Sequence, residues 1–427
     1  MGAALLFLTL LVLLVISLPV GFALGLSSLV YLVVVQHAPV VASMQRIVVA
    51  ADSFSLLALP LFIISGNLMT DGGISRRLID FVDALVGWIR GGLAIVTTIA
   101  CMFFGAISGS NTATTAAIGS IMIPGMKEKK YDVDFAAAIT SASGVLGAII
   151  PPSLMMISYG TITGASISGL FMGGFFPGIL CGLSLIVVSY VICRKKGFVS
   201  DKKFSFSRLL TTFKNAILAI IMPVIVLGGI YGGIFTPTEA AAVACVYCYI
   251  IASFVYKEIG IKDLPRILIS SIQTSSGIML LVCTASLFGW ALTVGKVPQA
   301  VAAAILGITK NKFLILLLIN VVLLVVGCFL ESIAAIVIMT PVLFPISTAL
   351  GIDPIHFGII VCVNICIGTL TPPFGVCLFV SSGLTKLPIE RIAKKSLPFL
   401  CALLICLLLI TYIEPISMFL PKLLAGK

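Results

Sequence analysis

Long apolar segments separated by short polar stretches run through the whole chain. A helix needs about 20 predominantly apolar residues to cross a bilayer. The apolar segments have approximate limits 3–35, 47–69, 91–126, 134–160, 168–193, 216–234, 236–256, 267–295, 312–349, 353–382 and 397–420. This pattern predicts an all-α polytopic membrane protein. Two further stretches, 75–90 and 203–214, interleave charged and apolar residues and predict interfacial amphipathic helices.

The composition agrees with this prediction. Hydrophobic residues make up 60% of the 427 residues and charged residues 10%, whereas soluble domains average about a half and a quarter. The formal net charge of +11 indicates basic cytoplasmic loops rather than a nucleic-acid partner. The 12 Cys are scattered singly in apolar runs and are interpreted as small apolar side chains, and two His leave little material for a metal cluster.

Basic residues orient the segments. The densest basic loop lies between Arg194 and Arg208, and the positive-inside rule assigns it to the cytoplasm. Basic residues also flank both ends of 91–126, which fits a re-entrant hairpin with its tip near 108–112. The resulting topology has nine crossings and two hairpins (about 91–126 and 312–349), with the N-terminus in the cytoplasm and the C-terminus outside. Six of the 26 Lys and Arg are left outside the cytoplasm: Arg46, Lys296, Lys310, Lys312, Lys422 and Lys427.

An offset of 221 residues relates two stretches that carry helix-breaking residues. Ser110, Pro124, Asp132, Gly147 and Pro151-Pro152 coincide with Glu331, Pro345, Asp353, Gly368 and Pro372-Pro373. An unsatisfied backbone group in lipid costs several kcal/mol, so such breaks persist where they line a protein site or cavity. Because one unpaired crossing separates the halves, the sequence predicts an inverted-topology repeat with two re-entrant helical hairpins and two broken transmembrane helices, about 134–160 and 353–382. The predicted units are residues 1–215, and 216–427 with its linking helix; duplicated breaks of this kind are typical of secondary transporters.

The first predicted hairpin tip, Ser108-Gly109-Ser110-Asn111-Thr112, is rich in polar side chains. Ser, Asn and Thr are preferred N-caps, and the following helix presents free N–H groups and the positive end of its dipole. This arrangement suits an anion such as a carboxylate. The alternative is that small residues here only permit close helix packing. The predicted anion-binding residues are Ser108, Ser110, Asn111, Thr112, Pro151, Ser158 and Glu331.

Backbone carbonyls released at the two helix breaks predict cation sites. Tandem prolines interrupt helical hydrogen bonds, and unwound carbonyls of broken helices coordinate Na⁺ in transporters. One Na⁺ is predicted between Ser108–Asn111 and Gly144–Ile150, and a second between Gly327–Glu331 and Gly368–Thr371. The alternative at each break is a plain proline kink. The predicted Na⁺ ligands are Ser108, Asn111, Gly144, Gly147, Ile150, Gly327, Glu331, Gly368, Thr369 and Thr371.

Glu331 is the strongest single candidate for a functional residue. A carboxylate in the middle of the membrane is energetically costly and usually marks an ion, proton or substrate path. Four roles stay open: ligating Na⁺, carrying a proton, hydrogen-bonding the substrate, or capping the returning arm of the second hairpin. No enzyme is predicted. An intramembrane serine protease needs a Ser and a His at mid-membrane, whereas Ser110 lacks a base and both His37 and His356 are predicted near the outer surface.

Motifs along essentially the whole chain resemble the large membrane subunit of tripartite ATP-independent periplasmic (TRAP) transporters. They are Gln45-Arg46-Ile47, Asp52 to Pro60, Phe104 to Gly119, Gly147 to Pro152, Pro237 to Ala242, and Gly368 to Gly375. The resemblance implies Na⁺-coupled import of an organic anion, such as a C4-dicarboxylate, sialic acid or another sugar acid, across the bacterial inner membrane by an elevator movement. It also implies two partners: a periplasmic substrate-binding protein and a small four-helix membrane subunit.

The chain is also distantly similar to divalent-anion/sodium symporters, which carry Ser-Asn-Thr in both hairpins. Here only Ser110-Asn111-Thr112 is present, and the second hairpin has Glu331-Ser332-Ile333. This departure argues against the alternative function, a standalone Na⁺/dicarboxylate symporter that works without a binding protein.

Overall fold

The computed structural model describes residues 2–198, 203–308 and 311–425, and every regular element in these ranges is a helix. The first half contains α1 (Gly2–Val15), α2 (Val20–Val30), α3 (Val40–Ala51), α4 (Ala58–Asp71), α5 (Ile74–Val86), α6 (Gly92–Ser108), α7 (Asn111–Glu128), α8 (Val133–Gly144), α9 (Leu146–Ile149), α10 (Leu154–Thr163) and α11 (Ile167–Lys196). The second half contains α12 (Phe206–Tyr231), α13 (Pro237–Ile250), α14 (Leu264–Val294), α15 (Val297–Ile308), α16 (Lys312–Phe329), α17 (Ser332–Ala349), α18 (Pro354–Gly368), α19 (Val376–Thr385), α20 (Ile389–Tyr412) and α21 (Pro415–Ala425).

Within the described ranges, nine helices are long and apolar enough to cross a membrane, which confirms a polytopic membrane protein. Nine crossings were also predicted, but the set of helices differs. Both arms of segment 312–349 qualify singly, whereas 3–35 and 353–382 are each divided into shorter helices. Which of these helices enter and leave the bilayer on the same side stays a prediction.

Segment 3–35, which was predicted as a single crossing, forms two helices. α1 ends at Val15, Ser17 has a φ of 63°, and Pro19 immediately precedes α2. Proline has no N–H to continue a helix, so the chain turns here. α1 packs back along α2 and the π-helical turn Tyr31–Val35 that continues it, and the segment is therefore a short helical hairpin.

The two stretches with amphipathic patterns have different outcomes. The first is α5, in which Leu78 and Val82 are buried while Arg76 and Asp80 are exposed. The second is not a separate helix, because residues 206–214 are the first turns of the long helix α12. These turns pack on α5: Arg208 pairs with Asp83 at 2.6 Å, and the rings of Phe213 and Phe81 lie 5.6 Å apart. The start of α12 is thus anchored on α5, whereas Phe206, Leu210 and Phe213 remain exposed, and its position at a membrane interface stays a prediction.

Helix limits recur between the two halves. The limits of α7, 111 and 128, become those of α17, 332 and 349, when 221 is added. α6 and α16 correspond with a one-residue difference at the start. The π-helical turn Tyr31–Val35 recurs as Ile251–Val255 at nearly the same offset. The predicted division between residues 215 and 216 falls inside α12, and the limits of the two units stay a prediction.

The packing between the halves is reciprocal. α10 packs on α17, and their counterparts α19 and α7 pack on each other. α8 packs on α20 as α18 packs on α11, and α4 packs on α13 as α14 packs on α2. Reciprocal contacts of this kind are what a two-fold operation produces. The second part of each broken helix thus lies against the hairpin of the other half, which brings both hairpins and both breaks into the centre of the molecule.

Candidate functional site

The turn between α6 and α7 is built by Gly109 and Ser110. Gly109 has a φ of 62°, and Ser110 caps α7 by accepting a hydrogen bond from the Ala113 N–H at 3.4 Å. Thr97 near the start of α6 donates to the Met126 sulfur near the end of α7 at 3.8 Å, so the two helices run antiparallel. α6 and α7 therefore form a helical hairpin whose turn carries the predicted polar residues.

The hydroxyl groups of this turn bond to one another. Ser108 Oγ lies 3.0 Å from Thr114 Oγ1, which in turn donates to the Ser110 carbonyl at 2.7 Å. Ser110 Oγ lies 3.1 Å from Thr112 Oγ1. Each hydroxyl oxygen keeps a second lone pair for a ligand. The turn is therefore a preorganised group of oxygens rather than a loose loop.

The turn of the first hairpin lies directly on the first helix break. A Cβ added to Gly105 would lie 2.6 Å from Gly147 Cα, and one added to Gly147 would lie 2.6 Å from the Ser110 carbonyl oxygen. The Leu154 N–H donates to the Gly109 carbonyl at 3.2 Å. The two stretches predicted to enclose a Na⁺, Ser108–Asn111 and Gly144–Ile150, are therefore in contact. We call residues 108–112 and 144–152 together the first half-site.

The second hairpin and the second break make the corresponding contact. A Cβ added to Gly327 would lie 2.9 Å from the Ile365 carbonyl oxygen and 3.2 Å from Gly368 Cα. The Gly375 N–H donates to the Cys328 carbonyl at 3.2 Å, much as Leu154 bonds to Gly109. We call residues 327–332 and 368–375 the second half-site. Both half-sites contain a cis peptide bond between their two prolines, Pro151–Pro152 and Pro372–Pro373.

Glu331 caps the second hairpin's returning helix. Its carboxylate oxygen Oε2 accepts hydrogen bonds from the Ile333 N–H at 2.9 Å and the Ala334 N–H at 3.3 Å. The capping geometry predicted for this carboxylate is thus present. Glu331 is exposed, as are Pro372, Pro373 and Phe374 of the same half-site.

Asn111 connects the two half-sites. Its side-chain nitrogen donates to Ser332 Oγ at 2.9 Å and to Thr369 Oγ1 at 3.1 Å, and the residue is only 2% exposed. Its side-chain oxygen accepts from the Thr112 N–H at 2.9 Å. Asn111 and Ser332 are related by the 221-residue offset, so the two-fold relation brings equivalent positions into direct contact.

Not every predicted residue reaches this centre. Ser158 is buried in α10 and donates to the Leu154 carbonyl of its own helix at 2.9 Å. α10 begins at the first hairpin's turn, where Leu154 bonds to Gly109, and then packs along α17 of the second hairpin. Ile150 and Pro151 are buried in the first break, and Thr371 donates to the Ile367 carbonyl at 3.1 Å. Ser158 therefore bonds within its own helix. Ile150 and Pro151 lie at the first break, and Thr371 lies at the second.

A buried polar pair that was not predicted from the sequence lies one to two turns from the second break. Asn364 donates to Asn320 Oδ1 at 2.8 Å, and Asn320 donates to Thr411 Oγ1 at 3.0 Å. Thr98 and Ser143 make a similar contact of 2.9 Å in the first half. A lone Asn320 in the apolar run 313–326 is the signal that could have revealed the pair.

The two hairpins differ in exposure along their returning helices. Ala113, Ala116 and Ser120 are exposed on α7. On α17 the equivalents of the first two, Ala334 and Val337, are 2% and 0% exposed. α17 packs extensively against α14 and α15, whereas α7 touches α5 only lightly. A groove along α7 is therefore open while the equivalent face of α17 is closed.

Known proteins match this chain over nearly its whole length. The sequence model of the family described as "Tripartite ATP-independent periplasmic transporter, DctM component" matches residues 7–416. The isethionate TRAP transporter permease protein DctMQ of Oleidesulfovibrio alaskensis is 45% identical over 410 residues, which cover 95% of this chain and 64% of that protein. The chain thus spans a little less than two thirds of that relative's length.

Two shorter relatives match almost from end to end. The C4-dicarboxylate TRAP transporter large permease protein DctM of Pseudomonas aeruginosa is 44% identical over 372 residues, 87% of each chain. The sialic acid TRAP transporter large permease protein SiaM of Vibrio cholerae is 38% identical over 410 residues, 96% of each chain. Among solved structures, the Alcanivorax borkumensis YdaH transporter matches with a TM-score of 0.62 and 15% identity over 86% of each chain. That likeness is one of fold alone.

Proposed function

Because the chain belongs to the DctM component family of tripartite ATP-independent periplasmic transporters, we propose that it carries an organic anion inward across the bacterial inner membrane, driven by Na⁺. Members of this family are multi-pass permeases of that membrane and are not enzymes. The observation that carries the proposal is the contact of each hairpin turn with its own helix break, with Asn111 joining the two half-sites.

The proposed Na⁺ sites are the two half-sites. Each combines a hairpin turn with an interrupted helix, and such breaks supply carbonyl oxygens to cations. The first offers the Ser108 hydroxyl with the backbone around Gly144 and Gly147. The second offers the backbone around Gly327 and Gly368, the Thr369 hydroxyl and the Glu331 carboxylate. Two ions, one per half-site, follow from the two-fold relation.

The transported anion is proposed to bind at the start of α7. The N-terminus of α17 already has a negative cap, because Glu331 accepts hydrogen bonds from two of its N–H groups. The cap of α7 is the neutral Ser110 hydroxyl, so the positive end of that helix dipole is not compensated by a charge. This difference favours one anion site over two. Relatives are named for isethionate, C4-dicarboxylates and sialic acid, which supports a carboxylate or sulfonate as the recognised group.

An elevator movement is proposed for the transport step. Both hairpins and both broken helices pack on one another across the two halves, so they are suited to move as one body against α2–α5 and α12–α15. The open groove on α7 and the closed face of α17 support alternating access, because two related halves in different states can exchange those states. On the predicted orientation, the open side faces the cytoplasm and the chain ends in the periplasm.

Two partners belong to the proposal. The relatives of matching length are named large permease proteins of TRAP transporters, a family that implies a small membrane subunit and a periplasmic substrate-binding protein. The substrate-binding protein would deliver the anion to the outer side. The small four-helix subunit would pack beside the non-moving helices.

Reconstitution tests the proposal. Proteoliposomes would contain the permease with its small subunit, and uptake would be started by the ligand-loaded binding protein with external Na⁺ or K⁺. We expect uptake in Na⁺ and almost none in K⁺, since K⁺ cannot replace a coupling ion. Undiminished uptake in K⁺ would refute sodium coupling. Equal uptake without the binding protein would instead favour a standalone symporter.

A further inference from the structure

A polar cavity of about 590 Å³ lies where the start of α5, the middle of α7 and the chain after the turn Ile251–Val255 meet. Its walls include Ser75 and Arg76 of α5, Ser120 of α7, and Glu258. It is separate from both half-sites. The predicted orientation puts it at the cytoplasmic surface, since Arg76 belongs to the basic flank of the first hairpin.

Most charged side chains around the cavity are paired with other groups. Arg77 pairs with Glu258 at 3.0 Å, stacks 3.9 Å above the Tyr256 ring and donates to the Gly73 carbonyl at 3.0 Å. Asp80 also lines the cavity and is engaged by another group. Arg76 is exposed and has no ion-pair or hydrogen-bond partner among the described residues. One guanidinium group therefore remains available to an anion.

Ser75 gives an independent indication of a ligand. The residue is 5% exposed, lines the cavity, and its hydroxyl has no hydrogen-bond partner in the described part of the chain. A buried hydroxyl without a partner loses the hydrogen bonds that it would make to water in the unfolded chain. A ligand oxygen in the cavity would remove that loss.

The cavity continues the open groove on α7. Ala113, Ala116 and Ser120 are exposed in succession along that helix, and Ser120 also forms part of the cavity wall. Seven residues of helix, roughly 10 Å, separate Ala113 at the hairpin turn from Ser120. The exposed residues are small and leave room for a solute.

From these observations we infer that the cavity is a receiving site for the transported anion on its way from the hairpin turn to the cytoplasm. The inference rests on the proposed function. The Arg76 guanidinium binds the carboxylate or sulfonate oxygens of the solute in the fork geometry suited to oxyanions, and the Ser75 hydroxyl donates a further hydrogen bond. A lipid phosphate has the same oxyanion chemistry, but the groove connects the cavity with the hairpin turn and favours the solute.

A charge-sensitive labelling experiment tests this site. Ser120→Cys would be introduced together with Cys401→Ser, which removes the exposed native thiol. Inside-out membrane vesicles would be treated with an anionic or a cationic methanethiosulfonate reagent. We expect the anionic reagent to react faster, and Arg76→Gln to slow it about tenfold because the local concentration of anions falls. Arg76→Lys should restore part of the rate, and Arg90→Gln, which removes an exposed charge outside the cavity, should leave it unchanged.

Competition then identifies the source of the oxyanion. Isethionate, succinate and sialic acid would be tested as protecting solutes, and vesicles with more or less phosphatidylglycerol would test lipid. We expect at least one acid to protect Ser120→Cys only when Arg76 is present. Protection by phosphatidylglycerol alone, or a labelling rate that Arg76→Gln does not change, would overturn the inference. Na⁺-dependent uptake by the parent protein is measured in parallel, so failure of the proposed function is recognised by its absence there.

Discussion

Asn111 illustrates how one side chain can organise the centre of this protein. A residue close to a two-fold axis contacts its own equivalent, and Asn111 meets Ser332 in this way at 2.9 Å. The same amide reaches Thr369 of the second break. Asn111 of the first half-site therefore contacts both the hairpin and the break of the second.

Glu331 permits a residue-scale test that separates capping from ion or substrate binding. Glu331→Gln keeps an oxygen for the Ile333 and Ala334 N–H groups but removes the charge, whereas Glu331→Ala removes both. We expect both variants to insert normally and to lose Na⁺-driven uptake, since a neutral amide does not replace a carboxylate beside a cation.

The matched control is Glu239→Gln in the first turn of α13. Glu239 accepts hydrogen bonds from the backbone N–H and hydroxyl of Thr236, and Gln satisfies the same capping arrangement. This variant should transport normally. Wild-type uptake by Glu331→Gln would reduce Glu331 to a structural cap.

A substitution at Gly147 tests whether Na⁺-dependent uptake requires the close contact between the first hairpin's turn and the first helix break. A Cβ there would lie 2.6 Å from the Ser110 carbonyl oxygen, so the hairpin turn would have to move. Overpacking of this kind costs about 1–3 kcal/mol. Since every 1.4 kcal/mol is about tenfold in affinity, Gly147→Ala should raise the Na⁺ concentration for half-maximal uptake by about tenfold or more.

Gly125 of α7 provides the control, because no described atom lies within 4 Å of a Cβ added there. Gly125→Ala should retain the wild-type dependence on Na⁺. Equal behaviour of the two variants would show that the hairpin turn tolerates displacement from the break.

At the scale of elements, the sequence predicted some helices well for identifiable reasons. The limits of α6, α7, α16 and α17 lie within two residues of the predicted segments 91–126 and 312–349, because Gly, Ser, Asn and Glu interrupt otherwise apolar runs. The turn at Ser17–Pro19 had a single proline as its signal, and the packing of α1 on α2 decides the outcome. The stretch 203–214 was predicted as a helix of its own, whereas residues 206–214 continue without interruption into α12.

The last helix, α21, gives a pH-dependent prediction outside the spanning segments. Lys422 donates to the carboxylate of Glu414 at 2.8 Å. This hydrogen bond holds the pKa of Glu414 below its ordinary value of 4.5. A lowered pKa stabilises the folded protein above the unfolded value, and the contribution is lost as the pH falls through the folded pKa.

Thermal unfolding measures whether the stabilisation by Glu414 is lost as the pH falls. Glu414→Gln should lower the Tm at pH 7, and the difference from wild type should shrink as the pH falls below 4.5. Glu128→Gln, which replaces an exposed carboxylate without an ion pair among the described residues, should show no such pH dependence. A Tm difference for Glu414→Gln that is constant with pH would contradict the linkage.

At the scale of the whole molecule, the sequence predicted the duplicated breaks but not the state of each half. Both halves contain the same helix-breaking residues at a fixed offset, so their local structure follows from sequence. Which half is open depends on how α7 and α17 pack against helices that are far away in the sequence. The Asn111 link likewise depends on contacts between residues far apart in sequence.

The central claim is that two related halves exchange states during Na⁺-driven transport. Ala116 and Val337 occupy equivalent positions, one exposed and the other buried, and each would be changed to Cys in a Cys401→Ser background. Membrane-impermeant thiol reagents would be applied from either side, at rest and during uptake.

The account predicts that Ala116→Cys reacts only from the cytoplasmic side. Val337→Cys should be protected at rest and should react from the periplasmic side when Na⁺, the binding protein and its ligand are present. Reaction of both variants from the same side, or protection of Val337→Cys throughout sustained uptake, would contradict it.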